Sequence, residues 1–227
     1  MALIKMISYF NKNYNLPVCK YRGSKADIRY PCFVSLKLDG ELTYIVKKGE
    51  KVFSVNKSKY GRYRLDYPAL EEFSLLNLPD GIYLAELYWN EGRSKEDFYS
   101  LLRNKTSNEL KLAVFGILQQ RGRTNYNAEE TYNYLVELNE RCKKYAFKYF
   151  SIIPQWKLSD EEELNLLVID YIYKKGYEGL VIKNREAIWR EGQSINWIKI
   201  KKKEREINTK NKNGEKVNFK FKYGCWV

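Results

Sequence analysis

Short apolar segments recur along this chain, and they constrain its fold more than any other feature. The clearest occupy residues 32–40, 81–89, 111–119 and 178–183, and a further strand is predicted over residues 150–156. Each is shorter than an ordinary buried helix and is bounded by charged or turn-forming residues, which favours strands. The Asp39-Gly40 turn and the alternating segment after it predict an antiparallel meander. Residues 1–29 are polar and predict a short helix followed by a surface loop.

Four segments carry helical patterns instead: residues 66–76, 94–104, 127–146 and 159–176. The third is the clearest, because acids come early and bases late along it, as the helix dipole favours. Its apolar face is formed by Tyr134, Leu135, Leu138 and Cys142. In the fourth, Ser159 is the expected N-cap and Gly176 the expected end. Strands and helices mixed in this way predict an α+β fold of mainly antiparallel sheets flanked by helices.

Composition excludes several kinds of chemistry. The 227 residues contain no histidine, so a Ser-His or Cys-His hydrolase and any His-ligated metal centre are excluded. The four cysteines are scattered and favour free thiols rather than a zinc site. A net charge of +13 favours an anionic partner, with nucleic acid the first candidate, although a Lys-rich soluble protein would look the same. The absence of a signal-like start or a long apolar run favours a cytoplasmic, nucleoid or viral replication site without a membrane partner.

Chemistry-bearing residues lie on or beside the predicted strands. Lys37 ends an apolar strand, and Glu86 lies inside another, where an unpaired carboxylate would be costly. Lys199 and Lys201 alternate with isoleucines and therefore share one strand face. Glu178 and Lys183 stand at opposite ends of residues 178–183. Facing sheets could gather these lysines and acids around Lys37.

These residues, taken in order, resemble the motifs of the covalent nucleotidyltransferase superfamily. The matches are KLDG at residues 37–40, AELY around Glu86, VFGIL around Phe115, EGLVIK at residues 178–183 and WIKIK at residues 197–201. Any one of them alone is weak, whereas five in sequence are specific. Residues 29–40 and 189–201 are also similar to the matching segments of small viral and bacteriophage ATP-dependent DNA ligases. The resemblance implies an ATP-grasp-like adenylation domain.

The resemblance further implies nick sealing through a lysyl-AMP intermediate. Lys37 would be the nucleophile, assisted by Lys199 and Lys201. The nucleotide-binding set would be Ser35, Leu36, Lys37, Glu86, Phe115, Val181, Lys183, Lys199 and Lys201. Glu178 and Glu86 would hold Mg²⁺ or Mn²⁺, and Lys57 and Arg62 would contact DNA. The expected partner of a monomeric chain is nicked duplex DNA.

Two departures from the family pattern stand out. Leu42 occupies a position where many members have Arg, and residues 54–59 lack the Arg expected of the next motif. Residues 1–203 are expected to form the adenylation domain, and residues 204–227 a short basic extension with two strands at most. An OB-fold needs five strands, so a full C-terminal OB-fold is not expected, and a separate OB-fold partner is one way to supply it.

Two other functions fit the same residues. An RNA ligase or a capping guanylyltransferase would share the motifs, and labelling by GTP or a preference for RNA ends would identify them. A non-catalytic nucleic-acid-binding module is motivated by Leu42 and the short C-terminus. Such a module would bind DNA in a salt-sensitive way without forming a covalent adduct.

Overall fold

A computed structural model of the chain describes residues 16–56, 63–64, 67–89, 109–201, 206–210, 216–222 and 225–226. The predicted helix over residues 94–104 lies outside these ranges, as do most of the predicted N-terminal helix, Lys57 and Arg62. Among the described helices, none is long and apolar enough to cross a membrane.

The first sheet has five strands in the order β1-β12-β11-β2-β10. Its neighbours pair antiparallel except for β1, which runs parallel to β12. Its strands are β1 Cys19–Gly23, β2 Cys32–Lys37, β10 Gln155–Leu158, β11 Gly179–Asn184 and β12 Gly192–Lys201. Strand β2 lies inside this sheet, and five of its six residues are buried.

The second sheet has seven strands in the order β5-β4-β3-β6-β7-β8, with β9 pairing parallel to β7. Its strands are β3 Glu41–Lys48, β4 Lys51–Asn56, β5 Tyr63–Arg64, β6 Gly81–Tyr88, β7 Lys111–Gln120, β8 Arg123–Thr124 and β9 Phe150–Ile152. One apolar core lies between the two sheets and contains Phe33, Leu84 and Ile182. A second core lies between the seven-stranded sheet and two of the helices, and it contains Phe73 and Leu135.

Three α-helices are described: α1 Pro68–Leu75, α2 Ala128–Cys142 and α3 Glu161–Leu167. Helix α2 confirms the clearest helical prediction, and a capping box between Asn127 and Glu130 begins it. Helix α3 is shorter than predicted, because the chain continues as a π-helix over Val168–Lys174. Its N-cap is Asp160 rather than Ser159, whose N–H instead donates to Glu163.

Three strand predictions need correction. β2 does not form a meander with β3, because the turn at Gly40 carries the chain from one sheet to the other. The predicted strand over residues 150–156 is two strands, β9 and β10, in different sheets on either side of Pro154. The predicted N-terminal loop contains β1, which forms by pairing with a strand more than 160 residues later.

Beyond Lys201 the described residues form a separate three-stranded antiparallel sheet. Its strands are β13 Glu206–Lys210, β14 Lys216–Lys222 and β15 Cys225–Trp226. This is one strand more than predicted, since two bridge pairs join β15 to β14. Three described strands are still fewer than the five of an OB-fold.

Candidate active site

Neighbouring strands of the five-stranded sheet place the predicted lysines side by side. Lys37 on β2 lies opposite Gly179 on β11, and Gly179 lies opposite Lys201 on β12. Residues directly opposite in antiparallel strands share a face, and strands lie about 4.8 Å apart. Two residues further along, the same registers align Ser35, Val181 and Lys199, and then Phe33, Lys183 and Trp197.

Glu178 joins the ends of two of these strands through its carboxylate. Its Oε2 accepts a hydrogen bond from Lys37 Nζ at 2.5 Å, and its Oε1 accepts one from Lys201 Nζ. The Lys37 and Glu178 side chains are about one-fifth exposed, so the pair is partly shielded from water. A carboxylate held between two ammonium groups is thus the centre of the site.

Lys183 is a buried cation on the floor of the site. Its side chain is only 3% exposed, and its Nζ makes one long hydrogen bond, 3.5 Å, to the carbonyl of Phe115. The same atom lies 5.4 Å from the centre of the Trp197 ring. Burial lowers the pKa of Lys183 to about 8, because the charged form loses hydration. No carboxylate of the described residues pairs with it.

Glu86 reaches the site from the second sheet, on β6. Burial raises its pKa to about 8, the charge of Lys37 opposes that rise, and Glu178 and Asp39 add to it. The backbone of Gly40 also hydrogen-bonds to this carboxylate. A side chain at Gly40 would collide with β6, since a Cβ there would lie 2.3 Å from the carbonyl oxygen of Leu87.

Phe115 is directed toward the site by a bulge in β7. The pairing of β6 with β7 passes from Leu84–Gly116 to Ala85–Val114, leaving Phe115 as the extra residue. Because the alternation breaks here, Ala113 and Phe115 face the core between the sheets, while Val114 and Ile117 face the helices. The bulge therefore brings an aromatic ring to the site.

A cavity of about 60 Å³ opens beside these residues, which is room for roughly four to six waters. Its lining combines the two sheets: Tyr21, Ser35, Leu36, Lys37, Leu38, Glu86, Phe115, Ile153, Val181, Lys183 and Trp197. Seven of these were predicted from the sequence. The other four, Tyr21, Leu38, Ile153 and Trp197, were not predicted to bind nucleotide.

Tyr21 is the clearest of the missed residues. Its ring stacks on Trp197, with centroids 5.6 Å apart and an angle of 14° between the planes. Burial, and next the charge of Glu86, raise the pKa of its phenol. Exposed Lys20 and Arg22 flank Tyr21, and this alternation was the available signal for a strand.

Other predicted residues have different positions. Lys199 shares a strand face with Lys201 but is exposed and does not line the cavity. The N–H of Leu36, expected beside the base, already donates to the carbonyl of Pro154 at 3.1 Å. Among the described residues, no group of three or more Cys, Asp or Glu side chains is arranged to hold a metal ion.

Comparison with known proteins places this arrangement in a family. A family model described as the ATP dependent DNA ligase domain matches residues 24–201. The chain belongs to the ATP-dependent DNA ligase domain family. This match includes Lys37, Glu86, Glu178 and Lys201. A search of curated proteins finds no match.

Solved ligase structures share the fold of this ligase-family chain. Bacteriophage T7 ATP-dependent DNA ligase in complex with ATP has a TM-score of 0.62 at 16% identity, with 92% of this chain and 82% of that chain covered. Chlorella virus DNA ligase-adenylate has a TM-score of 0.58 at 16% identity, with 93% of this chain and 80% of that chain covered. A Lig E DNA ligase has a TM-score of 0.57 at 18% identity, with 90% of this chain and 83% of that chain covered.

The chain spans only 58% of another matching structure, Pmar-Lig_PreS3, which has a TM-score of 0.65 at 16% identity. At such identities the likeness shows a shared α+β fold of antiparallel sheets with few helices.

Proposed function

We propose that this chain transfers AMP from ATP to Lys37 and then seals nicks in duplex DNA. The ε-amino nitrogen of Lys37 would bond to the α-phosphorus, and pyrophosphate would leave. AMP would pass to the 5′-phosphate of a nick, and the 3′-hydroxyl would displace it to form the phosphodiester. The observation that carries the proposal is the contact of Lys37 with Glu178, which in turn holds Lys201.

Proton removal is the first requirement, because an ammonium has no lone pair with which to attack. Glu178 Oε2 lies 2.5 Å from Lys37 Nζ, within hydrogen-bond reach of the proton to be removed. Transfer of that proton to the carboxylate leaves a neutral amine beside the cavity. The ammonium of Lys201, on the other carboxylate oxygen, would hold Glu178 in place.

Stabilisation of phosphate charge is the second requirement. Lys183 is a buried cation with one long hydrogen bond, so a phosphate oxygen would supply acceptors that the protein does not. Lys199 and Lys201 extend the positive charge along β12 toward solvent. Such preorganised charges stabilise developing negative charge at no reorganisation cost.

Base binding is the third requirement. Phe115 from one sheet and Val181 from the other line the cavity and offer apolar surfaces to the two faces of a flat ring. The phenol of Tyr21 also lies in this wall. Contact of the Ser35 and Leu36 backbone with the edge of the base stays a prediction.

A divalent metal fits this donor set only in part. Mg²⁺ is often held by one or two carboxylates together with substrate phosphates and waters, and Glu178 and Glu86 would supply the carboxylates here. When bound, the metal would neutralise phosphate charge. Because Glu178 already contacts two ammonium groups, it must release at least one of them to serve as a ligand.

Leu42 occupies the position where many family members have an arginine, so nick recognition has to use other residues. Leu42 is partly buried against the core between the sheets and lies opposite Glu86. The proposed contacts of Lys57 and Arg62 with DNA fall outside the described residues and stay predictions. A monomeric state and a separate OB-fold partner stay predictions as well.

The test is covalent labelling with ATP that carries a radioactive α-phosphate, in the presence of Mg²⁺. The chain should retain label through a denaturing gel. Lys37→Ala should abolish the label, and so should Lys37→Arg, because a guanidinium does not deprotonate. The matched control is Lys157→Ala, which removes a half-exposed lysine from β10 of the same sheet.

Parallel reactions separate the alternative functions. GTP in place of ATP reports capping activity, NAD reports a different nucleotide donor, and nicked RNA against nicked DNA reports the preferred end. A pre-adenylated nick tests sealing without self-labelling. Absence of label, together with no sealing of that nick, would leave only a non-catalytic binding module.

A further inference from the structure

A second cavity lies at the far end of the seven-stranded sheet. It encloses about 290 Å³ and is lined by Val46, Lys47, Lys48, Asp80, Gly81, Ile82, Gln119, Arg121 and Gly122. Strand β3 runs from Glu41, near the active site, to Lys48 at this cavity. At about 3.3 Å per residue, the two ends of the strand are roughly 23 Å apart. The cavity is therefore separate from the active site.

Positive charge dominates this second cavity. Three cations, Lys47, Lys48 and Arg121, surround one carboxylate, that of Asp80. Asp80 Oδ1 already accepts the N–H of Gly49 at 2.8 Å and lies 3.9 Å from Lys47 Nζ. The Lys47 side chain is only 10% exposed. These contacts hold the wall of the cavity in place, and the residues that line it carry three positive charges and one negative charge.

Arg121 has an unusual backbone for its residue type. It forms a two-residue turn with Gly122 between β7 and β8, and the φ angles are +49° and +80°. Such turns favour Asn and Gly, and a non-glycine residue in this left-handed region costs about 1 kcal/mol. The Arg121 N–H donates to the carbonyl of Asp80 at 2.9 Å, which orients the turn against the cavity.

The arginine side chain is not needed for this turn. It is exposed, and among the described residues no acidic group pairs with its guanidinium. Strained positions that persist in a fold are often associated with function. An arginine that is unfavourable for the turn, and that lies beside two lysines in a cavity, has the chemistry of a phosphate-binding group.

We propose that this cavity binds a backbone phosphate of duplex DNA, about seven base pairs from the nick held at Lys37. The proposal rests on the proposed function for its choice of DNA. A guanidinium can bond two phosphate oxygens at once, and the lysines add charge without reading sequence. With the duplex axis taken along β3, roughly 23 Å of strand and about 3.4 Å per base pair give this spacing.

The decisive variant is Arg121→Asn, because Asn is favoured at this turn position and removes the charge. The free energy of unfolding should be unchanged or higher. DNA affinity, measured by fluorescence anisotropy at several salt concentrations, should show a slope of log affinity against log salt that is smaller by about 1. The loss of affinity between 50 and 200 mM salt should then be about threefold to fourfold smaller than in the wild type.

The matched control is Lys25→Gln, which removes one exposed charge from the short 3₁₀ helix Lys25–Asp27 that follows β1. Its slope should stay at the wild-type value. An equal decrease in both variants would mean that only net charge matters, and the proposal would be wrong. An unchanged slope in Arg121→Asn would overturn it as well.

Two further arms identify the ligand. Duplexes with about twelve base pairs on each side of the nick should show the effect of Arg121→Asn, and duplexes with about four should not, because they end before the cavity. If the two proteins bind the long duplexes with equal salt slopes while Arg121→Asn binds pyrophosphate more weakly than the wild type, the cavity takes a free phosphate rather than the DNA backbone and the proposal fails. Labelling of Lys37 by ATP should be equal in both proteins, and its absence from both would count against the proposed function alone.

Discussion

Lys183 is a charged group whose burial should reduce the stability of the unliganded protein. The protein gives it one long hydrogen bond and a distant aromatic ring, which do not replace its lost hydration. A lowering of its pKa from the ordinary 10.5 to about 8 corresponds to roughly 3 kcal/mol. Replacement by methionine, Lys183→Met, keeps a similar length and removes the charge. We expect stabilisation at pH 7 by about 1–3 kcal/mol, since buried charges are often replaced favourably by apolar groups.

The pH dependence follows from the same pKa values. In the unfolded chain Lys183 keeps its proton up to about pH 10.5, and in the folded chain only up to about pH 8. Between these values the unfolded state binds more protons, so wild-type stability rises with pH. The advantage of Lys183→Met should therefore be full below pH 8 and decrease between pH 8 and 10.5.

The assay is denaturant unfolding from pH 7 to 10, with the slope on denaturant checked for constancy. Lys157→Met is the control, because that half-exposed lysine should change stability by less than about 0.5 kcal/mol. Labelling of Lys37 should fall by about 10²–10³ in Lys183→Met, as expected for a lost transition-state contact. Destabilisation of Lys183→Met at pH 7 would refute the reasoning, since the lysine would then be well solvated or paired.

Two more predictions concern groups from the second sheet. Because the pKa of Glu86 is raised from 4.5 to about 8, its contribution to the free energy of unfolding is full below pH 4.5 and is lost as pH rises toward 8. Glu86→Gln should remove about 1–3 kcal/mol of this decline in stability, measured by denaturant unfolding across that pH range. An unchanged decline in the variant would contradict the prediction. Gly40→Ala should cost about 1–3 kcal/mol and weaken labelling, because its Cβ would meet a backbone oxygen of β6. Gly116→Ala is the control, since the nearest atom to a Cβ there would be the flexible end of the Leu84 side chain at 3.0 Å. An equal loss of stability in both variants would show that backbone crowding is not the cause.

Much of the local structure was predictable from short-range patterns. The apolar segments became β2, β6, β7 and β11, and the dipole-ordered segment with Asn127 before it became α2. These elements depend on side-chain period and on capping, both of which are local properties. The N-cap of α3 was wrong by one residue, because Ser159 and Asp160 are both capable caps and only the actual backbone distinguishes them.

Partner choice between strands was not predictable in the same way. The turn at Gly40 looked like a hairpin, yet β2 pairs with β10 and β11 while β3 pairs with β4 and β6. Pairing depends on long-range burial of whole strand faces, and no local pattern carries that information. The bulge at Phe115 is also absent from the sequence pattern, since an extra residue is defined only against its partner strand.

The sequence by itself determined the chemistry that is possible at this site. With no histidine, it left lysines, carboxylates, tyrosines and cysteines as the possible reactive groups. The order of motifs around Lys37, Glu86, Glu178 and Lys201 indicated the family. Only the tertiary structure decided which of these groups meet. Strand register brings Lys37 and Lys201 to one carboxylate, buries Lys183 and leaves Lys199 exposed. Lys37 and Glu178 are more than 140 positions apart, and their contact follows from sheet packing rather than from local sequence.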